Sequence, residues 1–210
     1  MAALAALLHD LGKASQSFQD RLLPGGLREK NRYRHEWVSV RLFQAFVGQD
    51  DDAAWLQRLI DCGDEGADGD RFETLWLDHK KGRLLRDGMD PAARDNKPFA
   101  SSGKGLPPLA QAVAWLVLTH HRLPALPRSS NESPESTRLW HGRSLGGVNG
   151  RTLNAVLSQI DADWNEPWCE PPAASKKSRK VDPYWTFIHG LPVRTLKWRK
   201  RAARVARDLL

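Results

Sequence analysis

Residues 2–14 read AALAALLHDLGKA, an apolar run that closes on the pair His9-Asp10 and leads into Leu11-Gly12-Lys13. Alanine and leucine are strong helix formers, so residues 2 to 13 are expected to be helical with the alanine-leucine side packed inward. The neutral imidazole of His9 and the carboxylate of Asp10, side by side at the end of that helix, can both face a metal ion. No basic residues precede the run and no cleavage site follows it, so it is expected to sit inside the fold and not to act as a secretory leader.

A lone His-Asp pair carries little information, because a histidine at a helix end beside a solvated carboxylate is a common surface feature. Two further histidine sites change its weight. His35-Glu36 precedes a helix expected over 36–48, with Trp37, Val40, Leu42, Phe43 and Phe46 along an apolar stripe. His120-His121 closes the apolar helix expected from Leu109 to His121, which Pro124 and Pro127 cannot continue. Histidines at three separate helix ends describe a site. Imidazole and carboxylate ligands suit Mn²⁺, Fe, Ni²⁺ and Co²⁺, and Mg²⁺ with more carboxylate and water. Such a centre hydrolyses phosphodiesters, and in its two-ion form, with the ions roughly 3.5–4 Å apart, Asp10 would be the bridge. Glu36 is expected to start its helix or to support a ligating histidine, and Ser39 and Gln19 are expected to be structural.

Around these sites the chain reads as helices and loops. Short helices are expected over 53–61, 71–86 and Thr152–Asp163, and a basic helix over Val193–Leu210. An acidic, glycine-rich loop is expected from Gly63 to Asp70, with loop or linker segments over 87–108 and 167–182. Nothing alternates as strands do and nothing repeats, so the expected class is all-α, in one domain over residues 1–210.

The composition, 40% hydrophobic and 27% charged, is that of an ordinary globular chain, and no stretch approaches the roughly 20 apolar residues of a membrane span. Cys62 and Cys169 are too few and too isolated for a disulfide framework or a thiolate metal site, which suits a reducing cytoplasm. Ser102-Gly103-Lys104-Gly105 lacks both the earlier glycine and the Ser or Thr of a P-loop, so ATP binding is not expected. The net charge of +7 is uneven: Pro171 to Leu210 holds eleven Lys/Arg and two Asp, hence +9, leaving −2 for the remainder. Such a patch can hold a phosphate backbone without reading sequence, and Lys197, Arg199, Lys200, Arg201 and Arg204 are the candidates. Trp185 and Trp198, in the same basic part, are candidates for base stacking, whereas Trp37, Trp115 and Trp164 read as core. His79, His141 and His189 have no companion motif and read as surface or packing residues.

His9-Asp10-Leu11-Gly12-Lys13-Ala14 with Phe18-Gln19, then Tyr33-Arg34-His35-Glu36-Trp37-Val38-Ser39, then His120-His121, resembles the HD nuclease domain of the CRISPR-associated helicase-nuclease of type I systems, and the wording is similar to the type I-F form. The resemblance is dense over about the first 50 residues and then rests on His120-His121. It implies an HD-type helical fold with His9, Asp10, His35, His120 and His121 as ligands of one or two ions of Mg²⁺, Mn²⁺, Ni²⁺ or Co²⁺. It further implies Lys13 near the scissile phosphate and a backbone turn at Gly12 beside the metals. The implied activity is cleavage of single-stranded DNA, with a fused helicase and an RNA-guided surveillance complex as partners. It also implies a histidine upstream of His9 and an aspartate on a late helix. The eight residues before His9 contain no histidine, and Asp161, Asp163 and Asp208 are poor matches, so the chain is expected to be truncated at both ends. Two other readings stay open: an HD-type nucleotide phosphohydrolase, and a catalytically incomplete docking module.

Overall fold

In the computed structural model, residues 1–25, 34–77, 105–121 and 185–210 are described. Their regular elements are all helical: α1 (Ala2–Leu8), a 3₁₀ turn (Leu11–Ala14), α2 (Gln16–Leu22), α3 (His35–Val47), α4 (Asp52–Asp61), α5 (Gly69–Leu77), α6 (Pro108–Thr119), a second 3₁₀ turn (Pro192–Arg194) and α7 (Leu196–Arg207). The fold is all-α, as expected. No helix among the described residues is long and apolar enough to cross a membrane.

Helix α3 is the axis of the molecule. The sequence suggested one apolar stripe, but every residue from Glu36 to Val47 is buried, including the polar Glu36, Ser39, Arg41 and Gln44. The difference has a packing cause: α1, α5, α6 and the first 3₁₀ turn all pack on it, leaving no solvent face. Arg41 is accommodated by Gln44, 2.5 Å away, and by the Trp37 ring. Aromatic contacts carry the core outward, Phe46 stacking on Trp76 at 4.3 Å and Trp76 meeting Trp198 of α7 edge-on at 5.8 Å.

Helix ends differ from the sequence expectation where capping or close approach decides them. The expected helix over 2–13 stops at Leu8, and the chain continues as a 3₁₀ turn after Asp10. A Cβ at Gly12 would lie 2.1 Å from the His35 carbonyl oxygen, so only glycine lets this turn press against α3. Helix α5 begins at Gly69, inside the expected acidic loop, because the Asp68 carboxylate accepts from the backbone N–H groups of Asp70 (2.9 Å) and Arg71 (3.2 Å). The last helix begins at Leu196 and not at Val193, with Thr195 as its cap.

Helix α6 starts with Pro108 in its first turn, and the orphan N–H groups of Leu109 and Ala110 donate to Asp52 of α4 at 2.9 and 3.1 Å. Helix α7 packs on α4 through small residues: a Cβ at Gly63 would lie 2.4 Å from that of Ala203. The expected helix at 152–163, the segment 167–182 and the far end of the expected 71–86 helix lie outside the described residues.

Candidate metal centre

Three helix ends meet at one corner: the C-termini of α1 and α6, carrying His9 and His120-His121, and the N-terminus of α3, carrying His35. The rings are in mutual contact, His9–His120 at 4.7 Å between centroids, His35–His120 at 5.7 Å, His35–His121 at 5.3 Å and His120–His121 at 3.9 Å. One donor atom each from His35, His120 and His121 falls within 4.8 Å of the others, and so does one each from His9, Asp10 and His120. The two triads share His120.

The local backbone decides which nitrogen each ring offers. His9 Nδ1 lies 2.9 Å from the Ala6 carbonyl and His120 Nδ1 lies 2.6 Å from the Val117 carbonyl, each one turn back on its own helix. A carbonyl can only accept, so Nδ1 carries the hydrogen and Nε2 keeps its lone pair for a ligand. His35 reaches the same state differently, with Nδ1 3.2 Å from the Glu36 carboxylate. Its Nε2 is buried without a hydrogen-bond partner among the described residues, and the nearest acidic oxygen, on Asp10, is 3.6 Å away. A buried imidazole nitrogen left open beside a carboxylate is what a divalent cation satisfies, so the donor set fits one.

The electrostatics favour the ligating forms of His35, His120 and Asp10. Burial pushes the His35 pKa down, to about 4; the neighbouring Lys13 and His121 add to this while Glu36 and Asp10 oppose it. Burial also lowers His120, helped by His121 and His9. Burial works to raise the Asp10 pKa, but the Lys13 hydrogen bond, with the neighbouring His9, Lys13 and His35, outweighs it and holds the carboxyl below its usual range. Glu36 is fully buried, and there the bond from the Arg34 guanidinium overcomes the cost of burial, so it too stays ionised.

Lys13 places Nζ 2.8 Å from Asp10 Oδ1 and 5.9 Å from the Phe18 ring centre. Phe18 also stands edge-on to His35 at 5.5 Å, and the Gln19 amide donates to the Lys13 carbonyl at 2.6 Å. Arg34 and Phe18 belong to the motifs that carry the family resemblance, but neither has a role at the site that the sequence alone reveals; that comes from the Arg34–Glu36 bond and the Phe18 contacts with His35 and Lys13.

The family model described as Cas3, HD domain matches residues 1–182. The chain belongs to the Cas3 HD domain family. Over 211 aligned residues it is 38% identical to the CRISPR-associated nuclease/helicase Cas3 subtype I-F/YPEST of Pseudomonas aeruginosa, covering all of this chain and 16% of that protein. The protein of the same description from Pectobacterium atrosepticum is 35% identical over 209 residues, covering 98% of this chain and again 16% of the relative. The chain therefore spans about a sixth of the length of these relatives. Membership of this HD family implies divalent metal binding, and the five donors at the corner are the groups suited to it.

The basic C-terminal candidates divide. Lys197, Arg201 and Arg204 are exposed on α7. Lys200 is exposed as well but is paired with Glu65 at 2.6 Å. Arg199 is a correction: it is 5% exposed, and its guanidinium donates to the carbonyls of Cys62 (3.1 Å) and Ala67 (2.6 Å), so it ties α7 to the α4–α5 connection and faces no phosphate. Trp185 and Trp198 are corrected likewise. Both are buried, and Trp198 Nε1 donates to the Leu7 carbonyl at 3.2 Å, which makes them packing residues of the core. Trp37 is core as expected and Trp115 packs against it, while His189 is exposed. Asp208 caps the end of α7. Asp161, Asp163, Trp164, His79, His141 and Cys169 lie outside the described residues. Cys62 is a buried free thiol, pushed up to about 12 by its burial.

Proposed function

We propose that this chain is a metal-dependent nuclease domain that degrades single-stranded DNA within a type I CRISPR interference effector in the cytoplasm. The observation that supports this reading most is the meeting of His9, Asp10, His35, His120 and His121 at one corner, with Lys13 beside Asp10, in a member of the Cas3 HD domain family. The relatives are nuclease/helicases by name, so a helicase domain of the intact protein and an RNA-guided surveillance complex are the partners this reading assigns. One or two ions of Mg²⁺, Mn²⁺, Ni²⁺ or Co²⁺, held by these five residues, would supply a hydroxide near neutral pH and stabilise the leaving oxygen of a phosphodiester.

The chain's own groups are suited to that task. Burial favours the neutral forms of His35 and His120, and Asp10 is kept ionised. The Lys13 ammonium, held beside Asp10, would offset charge on a phosphate oxygen. Lys197, Arg201 and Arg204 would contact the backbone of a strand without regard to its sequence.

The test is degradation of single-stranded DNA with Mn²⁺, Ni²⁺ or Mg²⁺ by this chain and by its Asp10→Ala variant. Cleavage by the first and not the second supports the reading. Consumption of nucleotides but not DNA would make the domain a nucleotide phosphohydrolase, and a chain that binds no metal and cuts nothing would be a docking module.

A further inference from the structure

The hydroxyl of Ser39 is fully buried one turn into α3, and it touches both halves of the metal corner. Its oxygen accepts the backbone N–H of Gly12 at 2.8 Å. The same oxygen lies 2.9 Å from each of two carbonyl oxygens, those of His9 and His35, between which its one hydrogen is shared as donor. A serine in mid-helix ordinarily bonds only the carbonyl four residues back, here His35. The bonds to Gly12 and His9 come from a segment about thirty residues away, and they grip the backbone on both sides of Asp10-Leu11, one of them at the His9-Asp10 peptide itself. The missing Cβ of Gly12 is the complement of this contact, since any side chain there would strike the His35 carbonyl and part the two segments.

We infer that Ser39 is the positioning residue of the metal centre: its hydroxyl clasps the His9–Gly12 turn to the first turn of α3 and so sets the distance between the His9/Asp10 donors and His35. This rests on the metal reading above. Removing the hydroxyl leaves the buried Gly12 N–H without an acceptor and frees the turn from α3, while the ligands themselves remain.

The experiment compares the whole 210-residue chain with Ser39→Ala, Ser39→Thr and Leu59→Ala. Leu59 is a core residue of α4, a helix that carries no donor of the site. Co²⁺ affinity and its visible absorption spectrum are measured beside Tm, and the exchange rate of the Gly12 amide is followed without metal. Ser39→Ala is expected to bind Co²⁺ about 10–100-fold more weakly, with an altered spectrum and a faster-exchanging Gly12 amide. Leu59→Ala is expected to lower Tm while keeping the parent affinity and spectrum, and Ser39→Thr, which keeps the hydroxyl, to restore most of the binding. Parent-like Co²⁺ affinity and spectrum in Ser39→Ala would overturn the clasp and leave the metal site standing. So would a loss in Leu59→Ala matching that in Ser39→Ala, since the effect would then follow stability alone. A parent chain that binds no Co²⁺ would overturn the metal reading and the clasp together.

Discussion

The histidine corner and helix α7 both concentrate charged and ligating side chains, yet they arrange them differently. At the corner, residues drawn from positions 9 to 121 turn their polar atoms toward one another, and the rings of His9, His120 and His35 are each oriented by a bond from their own backbone or a neighbouring carboxylate. Along α7 the residues are adjacent in sequence but point in all directions. Lys197, Arg201 and Arg204 face solvent, while Arg199 and Trp198 face the core. Charge in a sequence thus locates a helix, whereas convergence of unlike ligands locates a site.

The comparison can be broken most sharply at Asp10. Asp10→Ala is expected to lower DNA cleavage by more than about 100-fold, since a ligand should matter more than the outer partners whose loss costs 10–100-fold. It should leave DNA binding through α7 in place, which a filter-binding assay would read. Arg199→Ala should behave in the opposite way, losing about 2–3 kcal/mol of stability in urea unfolding because two buried carbonyls lose a charged donor. Lys197→Ala should stay within about 0.5 kcal/mol of the parent, and equal losses in the two would erase the distinction drawn within α7.

A smaller effect is expected from replacing Lys197, Arg201 and Arg204 together by alanine. Removing up to three contacts with a single strand should flatten the dependence of log affinity on log salt by about 2, with no change in base preference. An unchanged salt slope would remove α7 from the DNA path. A separate effect is that of pH on the metal-free chain. His35 is pushed well below its ordinary 6.5, so between pH 6.5 and about 4 the unfolded chain takes up a proton that the folded chain refuses. Stability from this group is complete above pH 6.5 and lost as the pH falls toward 4. The urea midpoint should therefore drop across that window, and less steeply in His35→Gln.

The convergence at the corner was legible because its residues carry local signals. His9-Asp10 and His120-His121 each close an apolar helix, and Gly12 marks a tight turn. What the sequence hid were contacts across the chain. Ser39 reads as one more small residue of an apolar helix until Gly12 and His9 are brought to its hydroxyl. Arg199 has the same charge as Lys197, and only the carbonyls of Cys62 and Ala67 reveal that it faces inward. Trp198 stood among lysines and arginines, and packing against Phe72 and Trp76 moved it from a stacking candidate to the core.

By itself, the sequence determined the helical class, the places where donors stand at helix ends and the kind of ion those donors suit. These follow from propensity, periodicity and ligand chemistry, which act over a few residues. Tertiary structure alone decided that His120 is shared between two triads, that α3 is buried on every side and that a serine hydroxyl holds His9-Asp10 against His35. The physical reason is that a hydrogen bond or a buried nitrogen depends on distances set by packing between segments far apart in the chain, and residue type carries no record of those distances.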